Sequence, residues 1–228
     1  MTVESTGLAK RYGRTWALRG VDLLVRAGES VALLGPNGSG KSTLLRIFST
    51  AARPTAGEAR ICGHSSSTEG DAIRWCVGFV PDRPYLYPEL TALEHLQFAA
   101  VMYGVRTSGL RDALQRVGLA HVADERVRTF SQGMAQRLSL ARVMLHDPSL
   151  VLLDEPYNAL DAEGLQLVDR FLADLRGAGK TAILVTHQIA KGLAQCERVV
   201  ALRGGRVTYD GPSADFAASQ AAEVGAWG

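Results

Sequence analysis

"GPNGSGKS", residues 35–42, carries the strongest single signal in this chain. It matches the pattern G-x-x-x-x-G-K-[ST] and lies between the apolar run "SVALL" and the helix-forming "STLLRIFS". That strand, loop and helix context is the one in which the pattern cradles phosphate. Gly35, Gly38 and Gly40 permit a tight turn, and the loop from Gly35 through Pro36, Asn37, Gly38, Ser39 and Gly40 can wrap its N–H groups around phosphate oxygens. Lys41 supplies a point charge to β- and γ-phosphates, Ser42 is a ligand for Mg²⁺, and Thr43 adds a hydroxyl near the α-phosphate.

A strand that feeds such a loop belongs to a parallel sheet, and three further runs fit beside it. "CVGFVP" (76–81), "SLVLLDE" (149–155) and "TAILVTH" (181–187) are almost wholly apolar, as strands covered on both faces are. Helical patterns between them predict an α/β fold with a mainly parallel sheet and an antiparallel β subdomain, "ALRGVDLLVRAGE" and "RVTYDG" adding antiparallel strands. Residues 85–147 read differently. Thr91 and Glu94 form a capping-box pattern opening a helix that ends near Gly104, and a second helix near 109–117 is closed by Gly118. After Ser131, the spacing of Met134, Leu138, Ala141 and Leu145 predicts a helix with one apolar face, stopped near Pro148. The chain is therefore expected to be one domain: an α/β core over 1–84 and 148–212, a helical lobe over 85–147, and a short tail over 213–228.

Composition removes several function classes. The 25 basic and 23 acidic residues nearly cancel, which argues against nucleic acid or an anionic lipid surface as partner. The longest apolar stretches, such as "FAAVMYGV", fall well short of the roughly 20 residues that span a bilayer. The opening residues do not read as a signal peptide, and work at a membrane would need a second polypeptide to cross it. Cys62, Cys76 and Cys196 are far apart and outside any CxxC spacing, so they are expected to be buried, reduced thiols.

Around the phosphate loop the parallel topology gathers more chemistry. "LVLLDEP" delivers Asp154 and Glu155 to a strand's C-terminal end, where ligands sit in open α/β sheets. There Asp154 is a candidate Mg²⁺ ligand and Glu155 a candidate to orient or deprotonate an attacking water; their alternative is to favour the next helix's N-terminus. "LVTHQ" brings His187 to the same edge, within reach of a γ-phosphate and that water, although a histidine at a strand end is often structural. "FSQGM" (130–134) is either a Ser131 N-cap without a ligand or an anion site built from the Ser131 hydroxyl and the Gly133 amide. Tyr85, Leu86 and Tyr87 in "DRPYLYPEL" form either an interaction surface or part of the core.

Together "LLGPNGSGKST", "SQGMAQRLSLARVMLHDPSLVLLDEP", "NALD" and "LVTH" resemble the nucleotide-binding domain of an ABC ATPase, in an order and spacing that cover roughly residues 3–212. The resemblance implies ATP and Mg²⁺ as cofactors. It also implies a second ATPase subunit, with a homodimer expected, whose phosphate loop faces this chain's Ser131, Gln132 and Gly133 across a shared ATP. Tyr12 of "LAKRYG" matches the aromatic that stacks on adenine, and Asp161 of "NALD" matches the loop crossing the dimer interface while also suiting a helix N-cap. Two positions depart from the family pattern. Asp82 in "FVPDRP" replaces a glutamine and can approach Mg²⁺ or accept from water but not donate, and Gln132 replaces a glycine. "SQGM" resembles the branch of stand-alone subunits that power bacterial exporters. That placement implies separate transmembrane subunits and a cytoplasmic position, peripheral to the inner face of the cell membrane. An ABC ATPase regulating a soluble or cell-division partner is the second reading, and a phosphate-loop kinase the third.

Overall fold

The computed structural model describes residues 2–220. Along them run β1 (Val3–Tyr12), β2 (Thr15–Val25), β3 (Ser30–Leu34), α1 (Lys41–Phe48), β4 (Ala56–Ile61), β5 (His64–Ser65), α2 (Gly70–Cys76) and β6 (Val77–Val80). Next come α3 (Ala92–Met102), α4 (Leu110–Arg116), α5 (Gln132–Leu145), β7 (Leu150–Asp154) and α6 (Ala162–Gly177). The chain continues through β8 (Thr181–Val185), α7 (Ile189–Gln195), β9 (Arg198–Arg203), β10 (Arg206–Pro212) and α8 (Ser213–Gln220). Of the tail expected over 213–228, residues 221–228 lie outside the described residues.

The strands form two sheets. One is antiparallel in the order β2-β1-β4-β5, and the other has the order β10-β9-β3-β8-β7-β6. In the second sheet β3 runs parallel to β8 and β9, and β7 parallel to β6 and β8; only β10 is antiparallel. Every residue of β3, β7 and β8 is buried, as their apolar runs predict. Alternation along these strands divides the interior in two. Val31, Leu33, Leu152 and Ile183 pack with α1 and the antiparallel sheet, through Leu44, Phe48, Leu8 and Val21. Ala32, Leu34, Leu153 and Leu184 face the other way, into a core shared with Leu96, Leu114, Leu138 and Val168 of the helices.

Between β6 and β7 the described residues contain no strand element, only α3, α4, α5 and two short 3₁₀ turns. The capping box forms as expected: the Glu94 N–H donates to Thr91 Oγ1 at 3.1 Å, and the Thr91 N–H donates to Glu94 Oε2 at 2.8 Å. Loss of an N-cap hydroxyl costs about 1 kcal/mol, so Thr91→Ala is expected to lower Tm by about 2–4 °C in a calorimetric scan. An unchanged Tm would mean that this helix end contributes nothing to global stability.

The antiparallel subdomain forms as expected, with β2 paired to β1 in the four-stranded sheet, while β10 adds an antiparallel edge to the main one. One outcome differs from expectation. Cys196 is buried, but Cys62 and Cys76 are partly exposed and come together in space. Among the described residues no helix is long and apolar enough to cross a membrane.

Candidate active site

The main sheet's C-terminal edge is where β3, β6, β7 and β8 release their chains, and a cavity of about 1020 Å³ opens there. Gly35 through Thr43 line it on one side, with Tyr12, Asp82, Glu155, Asn158 and His187 around the rest. Gly35 is needed because its φ is +148° and a Cβ there would lie 2.2 Å from the Leu202 carbonyl oxygen. Gly38, also at positive φ, has only open space where its Cβ would be, so this part of the loop borders a cradle.

The cradle is built for an anion. No side chain caps α1, whose N-cap is Gly40, and its first turn carries no acidic residue. Its N–H groups therefore leave partial positive charge facing the loop. Lys41 is only 7% exposed and donates to the Gly35 and Pro36 carbonyls at 2.7 and 3.0 Å. Burial lowers its pKa from the usual lysine value, partly opposed by Glu155 and Asp154. Ser39 Oγ is buried without a hydrogen-bond partner. A bound polyphosphate would give the Ser39 hydroxyl a partner and the uncapped start of α1 the acceptors that no side chain supplies.

Beside Lys41, the Ser42 hydroxyl donates to Asp154 Oδ1 at 3.0 Å. Burial pushes the Asp154 carboxyl above its usual range, against the Ser42 hydrogen bond, and the charges of Asp82 and Glu155 push it the same way as burial. A hard divalent cation would relieve that field. Among the described residues no group of three or more His, Cys, Asp or Glu side chains is placed to hold a metal. Ser42 and Asp154 instead offer the sparse oxygen set that fits Mg²⁺, which takes its remaining ligands from phosphate and water. Asp82 accepts from Asn158 Nδ2 at 2.9 Å. Asn158 opens the "NALD" stretch, of which the sequence singles out Asp161; the part Asn158 plays beside Asp82 comes from the fold.

Glu155 and His187 meet directly. His187 Nδ1 lies 2.8 Å from Glu155 Oε2, and the His187 backbone N–H donates to the same oxygen at 3.2 Å. Glu155 has φ +51°, a conformation costly for a residue with a Cβ, and its own N–H is fixed on the Val185 carbonyl at 2.9 Å. The pair thus sits on a strained corner held by the neighbouring strand. Tyr12 is half exposed at the rim, with Lys10 Nζ 5.0 Å from its ring centroid.

The remaining predicted residues stand elsewhere. Ser131, Gln132, Gly133 and Asp161 do not line the cavity. Ser131 is the N-cap of α5, accepting from the Met134 N–H at 3.2 Å, and Gln132 begins the helix. Gly133 is packed so closely that a Cβ would come within 2.7 Å of the Ala159 carbonyl oxygen. Asp161 caps α6 by accepting from the Gly164 N–H at 2.9 Å and also pairs with Arg137 of α5. These four residues therefore form a second polar surface, joined to the loop that follows Glu155.

Comparison with known proteins places this geometry. The family described as "ABC transporter" matches residues 18–158. The macrolide export ATP-binding/permease protein MacB of Nitrosomonas europaea is 37% identical over 91% of this chain, which spans only 34% of that protein's length. The phosphonates import ATP-binding protein PhnC of Escherichia coli K12 is 36% identical, with 92% of this chain and 88% of PhnC covered. Among solved structures, a dimeric post-hydrolysis state of the ATP-binding cassette MJ0796, bound to ADP and Pi, superposes with a TM-score of 0.85 at 31% identity, covering 93% of this chain and 99% of that one.

Proposed function

The chain belongs to the ABC transporter family, whose ATP-binding domains are ATPases, and we propose that it hydrolyses ATP to power a membrane exporter through ATP-driven dimerisation. The observation that carries this reading is the joining of an uncapped, lysine-bearing helix N-terminus to the Glu155–His187 pair in one cavity. The loop from Gly35 to Thr43 holds the phosphates and Tyr12 stacks on the base. Ser42 and Asp154, with Asp82 nearby, hold Mg²⁺, which supplies charge neutralisation at the phosphate oxygens. Glu155 orients the attacking water and takes its proton. His187, fixed through Nδ1, has its other ring nitrogen left to contact the γ-phosphate. Products are ADP and phosphate.

Completion in trans fits the second polar surface. Ser131, Gln132 and Gly133 stand outside the cavity of their own chain, where they can serve ATP held by a partner copy, while Asp161 lies on the loop between the two surfaces. This chain then acts at the inner face of the cell membrane through separate transmembrane subunits. The export direction rests on the resemblance of "SQGM" to exporter subunits; overall similarity does not choose a direction, because MacB is an export protein and PhnC, as similar, an import protein. In vesicles whose ATPase subunits face outward, ATP is expected to drive cargo into the lumen; cargo leaving the lumen would reverse the assignment.

The docking site for that partner is an aromatic groove of about 570 Å³ lined by Trp75, Tyr85, Tyr87, Phe98, Met102 and Arg142. Tyr85 and Tyr87 are 59% and 54% exposed, whereas Leu86 packs against the core. Tyr87 meets Phe98 edge-on at 5.3 Å. A charge placed there would need desolvation in the complex. Tyr87→Glu is accordingly expected to abolish co-purification with the transmembrane subunit, with ATP binding by the isolated chain reporting an intact fold. Full assembly and normal transport by the variant would move the contact elsewhere.

A further inference from the structure

Two thiols outside the nucleotide cavity meet at the opposite edge of the six-stranded sheet. Cys76 immediately precedes β6 and Ser149 immediately precedes β7, and these strands run side by side from the Val77–Leu150 pair. Facing them, Cys62 occupies the turn between β4 and β5 that the Ile61–His64 pair closes. Cys62 Sγ is 4.0 Å from Ser149 Oγ, and Ser149 Oγ donates to the Cys76 carbonyl at 3.5 Å. Ser149 thus bridges Cys62 to Cys76, the two thiols are neighbours that perturb one another, and Cys76 Sγ donates to the Ile73 carbonyl at 3.2 Å.

The turn itself is unusual. Cys62 and Gly63 both have positive φ, 51° and 85°, as in the two-residue hairpin turns that favour Asn-Gly. A cysteine in the first position carries strain that glycine or asparagine would relieve. Here that strain accompanies a sulfur set beside a second sulfur. Both residues are partly exposed, whereas Cys196 is buried in the core.

We infer that Cys62 and Cys76 form a redox-modification site, in which Cys62 attacks a low-molecular-weight disulfide of the oxidised-glutathione class and Cys76 converts the adduct into an intramolecular disulfide. The Cys62 thiolate bonds to one sulfur of the small disulfide, whose S–S bond breaks to release one thiolate. Cys76, deprotonated, then bonds to the Cys62 sulfur and expels the second. Two protein thiols are oxidised, one small disulfide is reduced to two thiols, and the two protons lost by the protein end on those thiols.

The order of attack follows from the surroundings. The neighbouring Cys76 thiol, aided by Ser149 and His64, brings the Cys62 pKa down to about 7 against the effect of burial. The same partnership and burial hold Cys76 up, so Cys62 reacts first; once it is capped, its charge no longer restrains Cys76. Near pH 7 the larger thiolate fraction outweighs the lower intrinsic nucleophilicity, so Cys62 is the faster attacker of the two. Reversible disulfides of this kind are the form expected of redox sensing in a reducing compartment. The link would tie the β4–β5 turn to α2, which carries Asp71, Arg74 and Trp75 of the aromatic groove.

The test treats the fully reduced native chain with oxidised glutathione at pH 7 and maps the peptides by mass without reduction. Two of the three thiols are expected to disappear into a Cys62–Cys76 peptide, with Cys196 unreacted. Cys76→Ser should retain glutathione on Cys62, and Cys62→Ser, whose remaining Cys76 is still held up by burial, should lose thiol more slowly than the native chain. Persistent glutathione on the native chain without the linked peptide would overturn the inference, as would no thiol loss or a disulfide involving Cys196. The native-chain map decides this without relying on either variant's folding.

Discussion

A Glu155→Gln chain is expected to bind ATP, to release phosphate on the order of 10²–10⁴-fold more slowly than the native chain, and to accumulate as an ATP-bridged dimer. The substitution keeps the shape of the side chain. An amide oxygen can still accept the His187 backbone N–H that now reaches Glu155 Oε2 at 3.2 Å, but an amide cannot take a proton from water. Binding should survive because Lys41, the loop and the N-terminus of α1 are untouched. The dimer should persist because a ligand that bridges two chains stabilises their association for as long as it is not hydrolysed. Phosphate release and size-exclusion chromatography with Mg-ATP measure the two effects. A variant that turns over at the native rate would remove Glu155 from the mechanism, while loss of nucleotide binding would make its role structural.

The residues in that argument were legible to different degrees. β3, β7 and β8 announce themselves because a strand buried on both faces must be apolar throughout, and each places its last residue at the site edge. The phosphate loop is legible because its backbone conformation demands glycine where a Cβ would strike the Leu202 carbonyl. β4 gave little signal: in "AGEARI" only Ala59 and Ile61 are buried, so its pairing with β1 depends on a partner far away in the chain. α2 likewise buries only Ile73. The Asn158–Asp82 hydrogen bond joins the ends of two different strands, and the Cys62–Cys76 contact joins two different sheets. Such contacts arise from topology, and local spacing does not encode them.

Ser131→Arg and Lys41→Ala chains are each expected to be inactive alone and to recover activity when mixed. Lys41→Ala removes the cation that neutralises the β- and γ-phosphates, so both sites of its homodimer fail. Ser131→Arg replaces the small α5 cap with a bulky one on the surface that must meet the partner's ATP, and both sites of that homodimer fail as well. In a mixed dimer, the intact phosphate loop of one chain faces the intact Ser131–Gly133 surface of the other, rebuilding one of two sites related by the two-fold axis. Random pairing makes half the dimers mixed, so independent sites would restore roughly a quarter of native turnover, and sites obliged to fire together would restore less. Tethering the two variants in one chain raises the mixed fraction toward unity and separates those cases, with half of native turnover expected for independent sites. The placement of Ser131, Gln132 and Gly133 outside their own cavity is what makes the experiment diagnostic. A residue acting in cis would lose turnover without rescue, and a residue acting only as the cap of α5 would lose stability while native turnover remained. Ser131→Arg protein hydrolysing ATP at the native rate, with specific activity unchanged on dilution to monomer, would sink the trans arrangement.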